Sequence, residues 1–415
     1  MKDTEIGPLP DDWTIAAVGE VAQVKGGKRI PKGRRLTEHP TSHPYLRVSD
    51  MRMGAIDEAD LTYVPDDVFP SIQRYRISKD DIFISVAGTL GLVGKIPPAL
   101  DGANLTENAD RLTAITCDRD YLLHALMSDR IQQVIDAERT VGAQPKLAIY
   151  RIRTFKIGLP PTAEEQRRIA RVLEDFDALL QKLEVELVKR RNLKEAVAQQ
   201  LVLGRTRLPG FEGHPWDTVA LDDVTRRRPG VWGEDRLSRS HPRMLEIVGV
   251  GDVTRDGRLT GTSRRYLTER EFAAASSTKG DVLFAASGEP GKVWLNDGSR
   301  VIGAANFMRI LEPLPDRAWG PFLYYALQSH LAKVTLAGST ASSVIANVQA
   351  GFFRQSWLPL PRLPEQKAIA QVLLDLDAGL LAREARADKV RQLRLGAAQE
   401  LLSGRVRLGR DGGRA

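Results

Sequence analysis

Cysteine is nearly absent from this sequence, and residues typical of catalytic and metal sites lack the spacing that such sites need. Cys117 is the single cysteine among 415 residues, which excludes internal disulfides and metal sites built from several thiolates. The histidines show no metal-ligand spacing, and the chain has no H-E-x-x-H, G-x-S-x-G or N-P-P-[YF] segment. The sequence therefore predicts no catalytic residue and no metal site.

Long hydrophobic runs are also missing. No apolar stretch reaches membrane-spanning length, and the first residues, MKDTEIGPLPDDW, are too polar for a signal peptide. We therefore expect a cytoplasmic protein with no membrane partner. The segment GTLGLVGKI is not a phosphate loop, because Thr89 and Ile96 stand where that motif needs Gly and Ser or Thr. A glycine turn between two strands is expected there.

The overall composition is that of a globular protein. Hydrophobic residues make up 42% of the chain and charged residues 27%, which is enough apolar material for real cores. The length suggests roughly two to four domains. A formal net charge of +7 and a pI near 9.4 favour a polyanionic partner only weakly, because many basic proteins bind no nucleic acid.

The chain repeats itself at half its length. Glu165–Gln166 returns as Glu365–Gln366, and many of the following positions, up to Leu208, are identical 200 residues later. Further out, KDDIFISVAGTLG resembles KGDVLFAASGEPG, and LLHALMSDRI resembles LYYALQSHLA. Strand-like runs such as DIFISVAG and the helical spacing of YLLHALMSDRIQQVIDA indicate a mixed α/β domain. The sequence thus predicts a globular domain followed by a long helix, written twice.

The two long helices are predicted from their ends and their apolar spacing. Thr162 and Glu165 fit a capping box, Pro364 suits a first turn, and Gly204 and Gly404 fit C-terminal stops. A helix of about 40 residues spans roughly 60 Å, and its single apolar stripe needs a partner in water. The second long helix of the same chain is the expected partner. Residues expected to pair the helices and form a platform for other subunits are Ile169, Val172, Phe176, Leu179 and Leu183, with Ile369, Val372, Leu376 and Leu380.

Basic loops occur at equivalent places in the two halves, directly after the first predicted strand. The first loop, KGGKRIPKGRR, carries Lys25, Lys28, Arg29, Lys32, Arg34 and Arg35. The second, TRRRPGVWGEDRLSR, carries Arg226, Arg227, Arg228, Arg236 and Arg239. A charge run is usually a solvated face, but two runs at matching positions favour contact with phosphates or bases. The segment GAQPKL adds Gln144 and Lys146 as candidates.

Several segments together point to a known family. They are IGPLPDDW, YLRVSDMRMGAID, DDIFISVAGTLGLVGKI, GAQPKL and GLPPTAEEQRRIARVLEDFDALL in the first half, and GDVLFAASGEPGKVWL and LPLPRLPEQKAIAQVLLDLDAGLL in the second. The chain resembles the specificity (S) subunits of type I restriction-modification systems over nearly its whole length. In the second half GSTASSVI replaces GAQPKL, so the match is weaker there.

The resemblance implies a fold and a set of partners. Each globular unit would be a target recognition domain that reads one half of a bipartite sequence in double-stranded DNA. The two helices would pack as an antiparallel coiled coil, set the spacer and dock two methyltransferase (M) subunits, to which restriction (R) subunits add. S-adenosylmethionine (AdoMet), ATP and Mg2+ would belong to those partners, and this chain would hold no cofactor.

The expected segments are recognition domain 1 at 1–161, the central spacer helix at 162–208, recognition domain 2 at 209–361, the C-terminal spacer helix at 362–408 and a tail at 409–415. Two other functions remain open at this point. One is a specificity subunit for another phage-defence methyltransferase. The other is a coiled-coil scaffold whose domains bind only protein.

Overall fold

The computed structural model describes residues 1–139, 146–329, 348 and 351–409, and the chain divides into two compact units. Unit 1 consists of Met1–Leu183 and Arg386–Ala415, and unit 2 is Glu184–Ala385. Both divisions fall inside long helices of 40 residues each, which we name the central helix, Ala163–Val202, and the C-terminal helix, Leu363–Leu402. Each unit therefore contains one globular domain and a part of both helices.

The domain of unit 1 contains two four-stranded sheets. Sheet A is antiparallel throughout and has the order Gln23–Gly26, Ala109–Thr113, Ile82–Ser85, Val93–Lys95. Sheet B has the order Thr62–Tyr63, Pro44–Leu46, Ala103–Leu105, Arg76–Ile77, and its two middle strands are parallel. Two smaller antiparallel pairs join Thr14–Ala17 to Lys156–Leu159 and Met51–Arg52 to Ala55–Ile56. The GTLGLVGKI segment begins with the predicted glycine turn and continues into the strand Val93–Lys95, which pairs with Ile82–Ser85.

Short helices complete this domain. They are Val18–Val21, Phe69–Ile72, Arg119–Leu126, Asp129–Arg139 and Ile149–Thr154, with 3-10 turns at Val48–Asp50 and Pro98–Leu100. The segment YLLHALMSDRIQQVIDA is helical, as its spacing predicted, and consists of two helices. The break falls at Met127–Ser128, where the Ser128 hydroxyl donates to the carbonyl of Ala125 (2.6 Å).

Among its described residues, unit 2 repeats both four-stranded sheets and the first of the two smaller pairs, but not the pair Met51–Arg52 with Ala55–Ile56. Its sheets have the orders Thr225–Pro229, Met308–Pro313, Val282–Ala285, Val293–Leu295 and Ser263–Leu267, Arg243–Val248, Ile302–Ala304, Ser276–Ser277, and Asp217–Ala220 pairs with Trp357–Leu360. Its short helices are Glu269–Ala275, Gly320–Gln328 and Phe352–Gln355, with 3-10 turns at Leu221–Asp223 and Val250–Asp252. The prediction of a repeated α/β domain is confirmed.

Sheet A of unit 1 and its counterpart in unit 2 each separate two apolar cores. Ile82 and Ile84 belong to the larger core of unit 1, whereas Phe83 between them belongs to a second core on the opposite face. Successive side chains of a strand point to opposite faces, so a strand covered on both sides must be apolar at every position. This explains the continuous run in DIFISVAG. Its copy behaves alike, since Phe284 and Leu283 fall in separate cores.

Ion pairs give the direction of helix packing. In unit 1, Asp177 of the central helix pairs with Arg394 of the C-terminal helix. In unit 2, Lys194 and Asp377 form the equivalent pair with the two helices exchanged. In both units the start of one helix lies beside the end of the other, so the packing is antiparallel, as the resemblance implied. Each helix is followed by a left-handed glycine, Gly204 (φ 66°) or Gly404 (φ 67°), which confirms the predicted stops.

Candidate nucleic-acid interface

The first basic loop starts at the edge of sheet A in unit 1. Lys25 is the third residue of the strand Gln23–Gly26. Gly27 then passes so close to the Thr106 carbonyl oxygen that a Cβ atom would lie 2.0 Å from it. Only glycine fits such a crossing. The loop is thereby held against the turn that follows the strand Ala103–Leu105, while its five remaining basic side chains are exposed.

Acidic neighbours partner two of the exposed arginines. Arg29 forms an ion pair with Glu107, and Arg34 forms one with Asp67. Exposed pairs of this kind are weak, at about 0–1 kcal/mol. They position the guanidinium groups without preventing either from turning toward another anion.

The other basic side chains of this loop carry uncompensated charge. Lys28 Nζ lies 5.7 Å from the ring centroid of Tyr75. Among the described residues, no acidic group forms an ion pair with Lys25, Lys32 or Arg35. These three are therefore the most available to the phosphates of a nucleic acid.

In unit 2, the candidate arginines divide between the strand Thr225–Pro229 and the loop after it. Arg226 and Arg227 are exposed. The guanidinium of Arg227 lies 4.4 Å from the ring centroid of Phe353 and pairs with Asp222 at 3.5 Å. Further on, Arg236 and Arg239 are exposed as well, and neither forms an ion pair in the described part of the chain.

Arg228 corrects the sequence prediction, which grouped it with the exposed arginines. Its Nη1 donates to the carbonyl oxygens of Ala274 and Ser276 (both 2.9 Å), at the end of the helix Glu269–Ala275. The buried Asp281 lies 3.3 Å from Nη2. Cations are favoured at helix C-termini, where carbonyl groups lack partners. This guanidinium is therefore committed to internal contacts.

The GAQPKL segment is only partly described. Gln144 lies outside the described residues, whereas Lys146 is exposed and its backbone bridges to Ala87. Asp110 of sheet A is buried nearby, and its burial raises the pKa of the carboxyl to about 6 against the opposing charge of Lys146. A buried carboxylate beside a basic loop is a feature that the sequence did not single out.

The two long helices are fastened at their ends by carboxylate–guanidinium clasps. Glu165 accepts hydrogen bonds from Arg407 Nε (2.9 Å) and Nη2 (2.8 Å), and Arg407 also donates to Asp12 (2.8 Å). The copy clasp joins Glu365 to Arg207 (2.7 and 2.8 Å). Arg–carboxylate forks of this kind are among the strong hydrogen bonds.

This clasp corrects half of the predicted capping box. The Thr162 hydroxyl does accept from the Glu165 amide (3.2 Å). The Glu165 carboxylate, however, turns to the guanidinium of Arg407, because a buried carboxylate is better stabilised by a cation than by an amide. The repeated arginines at 207 and 407 were the signal in the sequence for this pairing.

Gln166 and Gln366 fasten each helix to its own domain. The amide oxygen of Gln166 accepts from the Asp118 backbone N–H (2.8 Å), and its nitrogen donates to the Pro160 carbonyl (3.0 Å). Gln366 accepts from Trp319 N–H (2.7 Å) in the same manner. Asp118 and Trp319 stand just before equivalent helices of the two domains. The repeated Glu-Gln pair therefore joins helix to helix through Glu and helix to domain through Gln.

The first turns of each helix belong to the core of the preceding domain. Ile169, Ala170 and Leu173 are buried in the larger core of unit 1, where Ala398 and Leu401 from the end of the C-terminal helix join them. Unit 2 repeats this arrangement with the helices exchanged. Ala170 and Leu173 were absent from the predicted set because a stripe drawn for helix pairing omits the face that packs on the domain.

The nine side chains predicted to pair the helices are all at least half-buried. The structure buries Ile169, Leu183, Ile369 and Leu380, and half-buries Val172, Phe176, Leu179, Val372 and Leu376. Asp177 and Asp377, which recur on the helices, are both salt-bridged.

The described part of the chain lacks other familiar sites. No three His, Cys, Asp or Glu side chains are grouped there as metal ligands would be. None of its helices is long and apolar enough to cross a lipid bilayer.

Comparison with known proteins assigns the repeated domain. The family model described as the type I restriction modification DNA specificity domain matches residues 10–189 and 215–390. This chain belongs to that family. The two matches begin in the two globular domains and end within the two long helices, so each copy of the family domain spans one domain and much of the helix that follows it.

Similar proteins are named as specificity subunits of type I restriction enzymes. The chain is 23% identical over 426 residues to the type I restriction enzyme MjaX specificity subunit of Methanocaldococcus jannaschii, covering 98% of this chain and 97% of the relative. It is 31% identical over 91 residues to the EcoKI specificity subunit of Escherichia coli strain K12, covering 21% of this chain and 19% of the relative.

Solved structures share the fold. A chain from a type I R-M system, studied for complex assembly and conformational transition, has a TM-score of 0.59 and 17% identity over 95% of this chain and 98% of its own. The type I restriction-modification S subunit from M. genitalium has a TM-score of 0.58 and 16% identity over 97% and 98%.

Proposed function

We propose that this chain is the DNA-sequence specificity subunit of a type I restriction-modification complex, with each globular domain reading one half of a bipartite target. The observation that carries the proposal is the repetition of the domain, with its two four-stranded sheets and its long helix, in both units. Strand orders, basic loops, glutamine contacts and carboxylate–guanidinium clasps all occur twice. Two equivalent modules with different loops are suited to reading two different sequences.

The long helices, in this proposal, set the spacer between the two half-sites and dock two methyltransferase subunits. Leu193 and Leu393 support the docking role. They occupy equivalent positions of the two helices, and about half of each side chain is exposed (51% and 48%). Exposed apolar side chains at repeated positions favour a protein partner that binds twice.

Catalysis, in the same proposal, belongs to the partner subunits. Methyltransferase subunits would bind AdoMet, and restriction subunits would use ATP and Mg²⁺, while this chain positions them on DNA and carries out no reaction of its own. A cytoplasmic location follows from this role, because the DNA substrate lies there.

The experiment is mapping of methylated adenines by long-read sequencing in cells that carry the whole system. The expected result is a bipartite motif with a fixed gap, and binding of the complex to that duplex should weaken steeply with salt. A protein-binding scaffold would produce neither result. A methylated motif without accompanying ATP-dependent cleavage would favour another phage-defence methyltransferase system.

A further inference from the structure

One site on the recognition domains has the same backbone in both units. Gly230 crosses the end of the strand Ile302–Ala304 as Gly27 crosses that of Ala103–Leu105, and a Cβ atom on Gly230 would lie 1.9 Å from the Ala305 carbonyl oxygen. We name this place the crossing. It lies in the basic loop of each unit, at the edge of the two sheets.

Backbone hydrogen bonds at the crossing show which residues of the two basic loops are equivalent. Lys28 N–H donates to Leu105 (2.8 Å), and Val231 N–H donates to Ala304 (3.0 Å). The next residue of each loop, Arg29 or Trp232, is therefore the equivalent residue in the two units.

The opposite side of the crossing is fixed in the same way. The amide of Val86 donates to the Asn108 carbonyl (2.7 Å), and the amide of Ala286 donates to Phe307 (2.9 Å). Asn108 and Phe307 are thus equivalent, and the residues before them, Glu107 and Asn306, are equivalent too.

The side chains at the crossing differ completely between the units. In unit 1 the crossing displays the ion pair of Arg29 with Glu107. In unit 2 it displays Trp232 and Phe307, whose ring centroids are 5.2 Å apart and whose planes meet at 81°. Their exposed fractions are 65% and 48%. A conserved backbone with exchanged surface chemistry is what two modules reading different sequences require.

An exposed aromatic pair forfeits the stabilisation that burial of two large apolar side chains would give. Large exposed apolar groups rimmed by polar ones mark interaction sites. Phe307 and Trp232 brace one another edge to face, so they form a small rigid apolar surface on a loop. That surface fits a flat or methyl-bearing apolar partner.

Exposed arginines on the loop of Trp232 favour a polyanionic partner. Of the two acidic residues that follow Trp232 on the loop, Asp235 forms an ion pair with Arg265, and Glu234 accepts a hydrogen bond from the Ser238 hydroxyl (3.3 Å). The same loop carries Arg236 and Arg239, which are exposed and have no ion-pair partner among the described residues. Exposed aromatic rings and exposed arginines on one loop are complementary to a DNA base flanked by phosphates.

We infer that Trp232 and Phe307 are specificity-determining residues of unit 2, which read an A·T base pair of its half-site by apolar contact with the thymine methyl group, where unit 1 presents Arg29 and Glu107. The inference rests on the proposed function. Thymine carries the only methyl group displayed in the major groove, and aromatic side chains contact it there. Arg29, by contrast, is able to donate to a guanine at the equivalent place.

The first test leaves the protein unchanged. Duplexes carrying the mapped motif are made with deoxyuridine in place of thymine in one half-site at a time, and their affinity for the assembled complex is measured. Removal of one methyl group that the rings touch should weaken binding about fourfold, in one half-site only. Equal affinity for all the uracil duplexes overturns the inference.

The second test uses a double variant, Trp232→Ala with Phe307→Ala, and a matched control, Trp357→Ala, an exposed tryptophan of the same unit (54%). The double variant should bind the parental motif at least tenfold more weakly and should no longer distinguish thymine from uracil. The control should keep both properties. Because both rings are exposed, thermal unfolding of the variant should match that of the parent.

The outcomes separate the inference from the proposed function. If the parental complex methylates no bipartite motif, the proposed function fails. If the motif exists and the double variant binds it like the control, the inference alone fails. If the variant instead loses methyltransferase subunits during purification with DNA affinity per complex unchanged, the aromatic pair contacts protein, and the inference is wrong.

Discussion

At the scale of single residues, the strand Ala109–Thr113 and its counterpart Met308–Pro313 carry opposite charges at one equivalent position. Asp110 and Arg309 occupy equivalent positions, beside Gly26 and Pro229 of the neighbouring strands. The guanidinium of Arg309 donates hydrogen bonds to the carbonyl oxygens of residues 306 and 308 (2.8 and 2.9 Å). Asp110 Oδ2 is buried and has no hydrogen-bond partner among the described residues. Burial without a hydrogen-bond partner therefore favours the protonated carboxyl and raises its pKa to about 6.

Replacement of Asp110 by Asn should stabilise the protein in a pH-dependent manner. The folded pKa of about 6 lies above the ordinary value of 3.8, so ionisation of Asp110 opposes folding as the pH rises through this window. At pH 7.5 the free energy of unfolding of Asp110→Asn should exceed that of the parent by about 1–3 kcal/mol. Near pH 3.5 the difference should vanish.

Urea denaturation at several pH values measures this effect. The exposed Asp80→Asn is the matched control and should change stability little at any pH. A variant no more stable than the parent at pH 7.5 would mean that Asp110 has a solvated or paired carboxylate.

The basic loop of unit 1 gives a second prediction at this scale. Alanine at Lys25, Lys32 and Arg35, the residues without ion-pair partners, should weaken binding of all duplexes and reduce the salt slope by about one for each phosphate that the loop no longer neutralises. Salt titrations of duplex binding measure the slope. A control removes three exposed charges elsewhere, at Lys79, Arg205 and Arg270. Equal slopes for both triple variants would show that the loop is merely solvated.

At the scale of elements, each long helix stabilises two different structures. Its first turns complete the core of the domain that precedes it. Its last turns complete the core of the other domain, as Ala398 and Leu401 of the C-terminal helix do in unit 1. The clasps lie where these roles meet. Glu165 is buried, and its partner Arg407 comes from beyond the end of the C-terminal helix.

Loss of Arg407 should therefore destabilise unit 1. Arg407→Ala leaves the carboxylate of Glu165 buried without its cation, at a cost of about 2–3 kcal/mol after allowance for the partial exposure of the guanidinium. Arg405→Ala is a close control, because it breaks only an exposed pair with Glu400 and should cost under about 0.5 kcal/mol. Calorimetry of both variants gives the comparison. Similar melting profiles would exclude a stabilising clasp.

At the scale of the whole molecule, equivalent contacts attach each domain to the long helices. Glu165, Gln166 and Leu173 in unit 1 correspond to Glu365, Gln366 and Leu373 in unit 2, and their partners correspond as well. The sites on the helices at which the domains pack are thus nearly interchangeable. The domains differ instead in their loops, such as the crossing with its ion pair or its aromatic pair.

The domains should consequently be exchangeable within the chain. Residues 209–361 placed in the position of residues 1–161 should give a folded chain whose methylated motif contains two copies of the half-site read by unit 2. The reciprocal duplication should yield two copies of the other half-site. Adenine methylation mapping decides the result. Retention of the parental motif by either chimera would contradict independent reading by the two domains.

The sequence by itself determined the repeat, the α/β class, the long helices and their stops, because these follow from local patterns of apolar spacing, caps and glycines. Several contacts of the site depended on residues far apart in the chain. The sequence placed Arg228 with the exposed arginines, but a helix end and a buried carboxylate draw it inward. It assigned Glu165 to a local cap, but Arg407 is 242 residues away. Only the tertiary structure brings such partners together, since a charged side chain takes the strongest partner within reach in space.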